Sequence, residues 1–144
     1  MTYKRETIEL THEAALEMLT AAVAAAEAMG QPQCIVIVDK SGESIATLRM
    51  TGSKYLSLLS ARAKARTAAS IGVESGMIPP QVAPLIAAAT QGAVTGLGGG
   101  LPIYLEGVLL GGVGVGSGTP EQDRAVAQAA IAAIGAQSEK ATNA

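Results

Sequence analysis

GGGLPIYLEGVLLGGVGVGSG, residues 98–118, is the stretch whose reading decides the fold. Leu101 to Leu105 and Val108 to Gly116 read as two strands joined tightly through Glu106-Gly107. Successive strand residues point to opposite sides, so Gly112, Gly114 and Gly116 share one face and Val113 and Val115 the other. A strand bare on one side marks the close approach of another backbone, a helix or a ligand. The flanking sequence agrees. Between Ser75 and Pro120 the only charged side chain is Glu106, and four of the six prolines fall there. Those prolines and glycines would break a membrane helix, so the segment is expected to be buried, in the core or against other subunits.

Upstream, Thr11 is placed to cap a helix in which Leu16, Leu19, Val23 and Ala26 recur at helical spacing until Gly30, with Glu13 in the first turn. Residues 34–39, CIVIVD, form a β-branched strand, Lys40 to Glu43 a turn, and Ile45 to Met50 a second strand, which together make a hairpin. From Ser57 to Ile71 the chain reads as a helix with Arg62 and Arg66 on one face and Lys64 nearly opposite. Lys64 therefore either snorkels along apolar surface or meets a buried acid or an anionic ligand. A short helix from Gln81 to Gln91 follows Pro79 and Pro80. Last, Thr119-Pro120-Glu121-Gln122 is a helix start with a capping box, and Val126, Ala127, Ala130, Ile131 and Ile134 mark its buried stripe. The order is helix, two strands, helices, two strands, helix, an α/β chain expected to form one domain over 1–136 with a flexible tail at 137–144.

At 144 residues the chain is one domain by length, built without Phe or Trp, so Ala, Val, Leu and Ile must pack its core. The net charge is −2 and nothing resembles a basic stripe, which excludes nucleic acid as a partner. One cysteine, Cys34, allows no intrachain disulfide and reads as a small buried hydrophobe. Met1 to Glu6 lacks the apolar run of a signal peptide, so a cytoplasmic location and no membrane partner are expected. The single histidine, His12, excludes a two-histidine metal site, and neither a G-x-G-x-x-G fingerprint nor a Walker sequence occurs. There remain Arg49, Lys64, Thr67, Glu106 and Asp123 around Gly98-Gly99-Gly100. Glycine-loop amides with a nearby cation can hold a carboxylate. Alternatively, Arg49 pairs with Asp39 or Asp123 and the three glycines are a tight lead into a strand.

Several segments, in order over nearly the whole chain, resemble the heme-degrading-domain family, also called GlcG/HbpS-like, which includes the C-terminal domain of PduO-type proteins. They are Val36-Ile37-Val38-Asp39 with Gly42, Arg49-Met50-Thr51-Gly52, Ala61 through Ala68, Gly98-Gly99-Gly100-Leu101-Pro102-Ile103, and Gly107 through Gly118 ahead of Glu121 and Asp123. The resemblance implies a profilin-like α/β/α sandwich, an antiparallel sheet of about five strands with helices on both faces, assembled as a homo-oligomer. A fifth strand would lie near Thr7 to Leu10 or Ala93 to Leu97. It also implies a small-molecule ligand, with heme or a related tetrapyrrole first, His12 or an exposed hydroxyl near the iron, and Arg49, Lys64 or another cation at the propionates. The alternative is a cofactor-independent isomerase or lyase acting on a small carboxylate by proton transfer. Arg49 and the Gly98 to Gly100 amides would then hold the carboxylate, with Thr67 and Asp123 alongside, while Lys64 or Glu106 acts as the catalytic acid or base. The chain departs from the family pattern at Thr51, where an acid is usual, and in the order Gly116-Ser117-Gly118.

Overall fold

The structure is a computed structural model and describes residues 1–142. Helix α1 (His12–Ala28) leads into strands β1 (Cys34–Asp39) and β2 (Ser44–Arg49). Helix α2 (Leu56–Ile71), a 3-10 turn (Ser75–Met77) and helix α3 (Ala83–Ala89) follow, then β3 (Gly100–Leu105), β4 (Val108–Gly116) and α4 (Pro120–Ala133). Local chemistry fixes the ends of the helices. The Thr11 hydroxyl accepts the Ala14 amide at the start of α1, and the Thr119 and Gln122 side chains form the reciprocal capping box of α4. Gly72, at φ +72°, closes α2 in the left-handed conformation that glycine adopts without strain.

The strands form one antiparallel sheet in the order β2-β1-β4-β3. Helices α1 and α4 lie on one face and α2 on the other, so both faces are covered. Among the described residues the sheet has four strands, not the five that the resemblance implies, and residues 7–10 and 93–97 lie outside it. In the second segment side chains take the backbone groups a ladder would need: Thr67 Oγ1 accepts the Thr95 amide and Ser75 Oγ donates to the Leu97 carbonyl. The free edge of β3 is instead closed by Gln137, whose main chain exchanges two hydrogen bonds with Tyr104. The expected tail 137–144 thus begins with a paired residue, and its last two residues lie outside the described ones.

Helix α1 presents only part of the expected stripe, with Ala26 buried as expected. Ala15, Met18, Ala22 and Ala26 are buried, Leu19 and Val23 are only half-buried, and Leu16 is exposed. The helix packs against α4 as well as the sheet, and small residues toward Ala127 and Ala130 let the two axes approach. Helix α3 fully buries none of its residues.

Candidate functional site

The bare face of β4 is filled by α2 of the same chain. Gly116, Gly114 and Gly112 lie against Ser57, Ala61 and Ala65, so the helix runs antiparallel along the strand with main chain on main chain. A Cβ at Gly114 would overlap the Ala61 carbonyl oxygen, and one at Gly112 the Ala65 carbonyl oxygen. On β3, Gly100 is pressed against the Lys64 carbonyl in the same way. Of the three occupants a glycine face allows, the helix is the one present.

This close packing brings Lys64 to the open corner of the sheet beside β3. Its Nζ donates to the Val115 carbonyl at 2.8 Å and to Asp123 Oδ2 at 3.0 Å. Asp123 belongs to the first turns of α4, on the opposite face, and its other oxygen accepts the Gly118 amide at 3.0 Å. Lys64 and Asp123 are 5% and 3% exposed, so the ion pair is sealed from water. The passage between the faces exists because Gly99, at φ +111°, has no side chain. A Cβ there would stand 2.9 Å from Asp123 Cβ, 3.0 Å from the Val115 carbonyl oxygen and 3.2 Å from Lys64 Nζ. The pair is a strut that ties α2 to α4 through the end of the sheet. Of the two readings of Lys64, the buried acid holds.

The remaining candidates do not converge on that strut. Thr67 is buried one turn along α2, donating to the Ala63 carbonyl and accepting the Thr95 amide. The Gly100 amide donates to Ser75 Oγ at 3.0 Å and the Gly99 carbonyl accepts the Val115 amide, so the fold uses one donor and one acceptor of this glycine run. Gly98 is half-buried beside Glu74. Arg49 is exposed at the end of edge strand β2, without an ion pair to Asp39 or Asp123. Three strand spacings separate it from Gly100, about 14 Å. Glu106 is exposed in the β3–β4 turn at φ +52°, at the far end of β3 from Gly100, about 20 Å by strand rise. Within one chain, Lys64 therefore lies beside Gly99 and Gly100, while Arg49 and Glu106 stand apart from them.

His12 opens α1. Its imidazole is 76% exposed, with Nε2 3.4 Å from Glu13 Oε1. Leu16, one turn on along the same helix face, and Ile8, just before the helix, are exposed as well. Among the described residues no three His, Cys, Asp or Glu side chains gather as a metal site, and no helix is long and apolar enough to cross a membrane. Two polar residues escaped the sequence reading. Ser75 joins Leu97 to Gly100, and Gln33 is wholly buried with neither amide atom hydrogen-bonded. Neither has a local signal, because each depends on a neighbour far along the chain.

Residues 10–132 match the family described as "Haem degrading protein HbpS-like". The chain belongs to that family. It is 37% identical over 123 residues to the corrinoid adenosyltransferase PduO of Citrobacter freundii, a match that covers 82% of this chain and 37% of that protein. The chain thus spans little more than a third of the length of that relative. Among solved structures, the PduOC:heme complex is 31% identical with a TM-score of 0.85, over 92% of this chain and all of the other. A variant of Streptomyces reticuli HbpS is 31% identical with a TM-score of 0.82, over 92% of this chain and 91% of the other. The four-stranded α/β architecture is thus that of the HbpS-like family.

Proposed function

We propose that this HbpS-like chain binds heme or a related tetrapyrrole on an open surface, within a homo-oligomer, using the His12 imidazole as the iron ligand. The observation that carries the reading is the state of His12 in a fold so close to one solved with heme. Its side chain is free of buried partners and flanked by the exposed apolar side chains Ile8 and Leu16. An imidazole nitrogen is a common axial ligand of heme iron, and apolar side chains beside it suit a macrocycle. Lys4 and Arg5, both exposed just ahead of this region, suit the propionates, whereas Lys64 is held by Asp123. Bound iron would supply ligand-exchange and one-electron chemistry that no side chain here offers. A location in the cytoplasm belongs to the same reading.

The oligomer is argued from α3. A seven-residue helix is far too short to be stable in water by itself, yet α3 only half-buries Ala83, Ile86 and Ala87 and fully buries none of its residues. It exposes Leu85, and Val82 just before the helix, Met77 and Leu97 are exposed as well, in a stretch without charge from Ser75 to Leu105. Two copies of such a face meet without repulsion, as a symmetric contact requires.

Titration of the purified protein with hemin is expected to give a shifted Soret band, lost or moved in His12→Ala. No shift in the unaltered protein would remove the binding, and an identical shift in the variant would remove His12 as ligand. Sedimentation is expected to report an oligomer that Leu85→Glu dissociates.

A further inference from the structure

We propose that the cleft between the C-terminal end of α1 and the end of β2 is a separate binding site for a small organic cation with an apolar body. The cleft has a volume of about 420 Å³, within the range of small-molecule sites. Val23 and Ala26 of α1 form one wall, Leu48 and Met50 from the β2 side the other, and Pro32 the floor. The walls are held by the fold. Met50 donates its amide to the Gln33 carbonyl at 3.0 Å, its sulfur accepts the Gln33 amide at 3.4 Å, and Pro32 packs on Gly52. At the mouth, exposed Gly30 turns the chain out of α1 at φ +67°, with open space around it.

Two independent charges point the same way. Glu27 is the one ionisable residue in the lining, and it is exposed at the rim. The mouth also lies at the C-terminal end of α1, where the helix dipole is negative. No cation lines the cleft to receive an anion, so a carboxylate is disfavoured and an ammonium favoured. The neutral polar residues of the lining are Thr51 and Gln31, whose Nε2 already donates to the Pro32 and Ser117 carbonyls. His12 begins the same helix more than three turns away, so this site is distinct from the proposed heme face.

Three isosteric probes, benzylammonium, benzyl alcohol and benzoate, test the site by calorimetry and amide chemical-shift mapping on the whole protein. Benzylammonium is expected to bind best, with shifts confined to residues 23–33 and 48–52, and benzoate about tenfold more weakly or not at all. Glu27→Gln should lower benzylammonium affinity to that of benzyl alcohol and leave benzyl alcohol unchanged. Val23→Trp, which fills the cleft, should abolish both; Leu48→Trp fills it from the strand side if the first variant does not fold. Shifts elsewhere on the molecule, equal binding of benzoate, or undiminished binding in a folded filled-cleft variant would each overturn the proposal. Hemin titration is read separately, so failure here leaves the heme reading standing, and the reverse.

Discussion

On the α1/α4 face of the sheet the space is filled by large aliphatic side chains, Ile35, Ile37, Leu101, Ile103, Val113 and Val115, meeting Met18, Val126 and Ile131. On the α2 face β4 contributes Gly112, Gly114 and Gly116 and β3 contributes Gly100, and there main-chain carbonyls of α2 stand where side chains would be, while only β1 supplies side chains, Cys34, Val36 and Val38. The contrast is between a core that is filled and a contact that is emptied. A filled core tolerates the loss of an atom better than the gain of one, whereas a backbone contact has no atom to lose and no space to gain one. The buried ion pair at the corner belongs to the second kind, since it passes through a gap that only glycine leaves open.

The sharpest way to break the comparison is Gly114→Ala. The added methyl would overlap the Ala61 carbonyl oxygen and stand 2.6 Å from the Ala65 amide nitrogen, so α2 must move away from β4. We expect a loss of about 4 kcal/mol or more, which would remove most of the stability of a domain at the low end of the usual range of about 5–15 kcal/mol. Urea denaturation followed by circular dichroism measures it. A cost under about 1 kcal/mol would show that α2 is free to lift, and the emptied-contact account would fail.

The strut gives the next effect. Lys64→Met leaves the Asp123 carboxylate buried without its cation, and removing one partner of a buried pair costs about 3–5 kcal/mol. The double variant Lys64→Met with Asp123→Leu replaces both charges by apolar groups and is expected to cost only about 1 kcal/mol, chiefly from the lost Gly118 hydrogen bond. The two curves, compared by midpoint at constant slope, separate a strut from a group merely sitting in the core. Equal losses in the single and double variants would show that the pairing is not what matters at this corner.

Much of this was legible in the chain. The glycine alternation at 112, 114 and 116 announces a bare strand face, the lone placement of Lys64 opposite Arg62 and Arg66 announces an inward cation, and the capping box at Thr119 fixes the start of α4. What fills the bare face was not legible, because the partner of Gly114 lies more than fifty residues earlier and makes contact through its main chain, which every residue possesses. Glu106-Gly107 reads as the β3–β4 connection and forms it, but the isolation of Glu106 in an apolar stretch says nothing of burial, since a hairpin turn carries its charge in water. Lys64 and Asp123 could each be picked out, but their meeting depends on the missing side chain at Gly99. Apolar size is a poor mark of the buried face of α1, because a helix squeezed between a sheet and α4 turns its alanines inward and leaves Leu16 in water.

The smallest effect sharpens the comparison from the filled side. Ile37 is wholly buried on the α1/α4 face, and Ile37→Val removes a single methylene. Neighbouring side chains such as Met18 relax partly into the space, so a loss of about 1 kcal/mol is expected, with an unchanged denaturant slope. Ile37→Val and Gly114→Ala each change one carbon on the same sheet, and the ratio of their costs measures how differently the two faces are packed. Comparable losses would mean that the aliphatic face is as unforgiving as the glycine face, leaving backbone contact with no special claim on the fold.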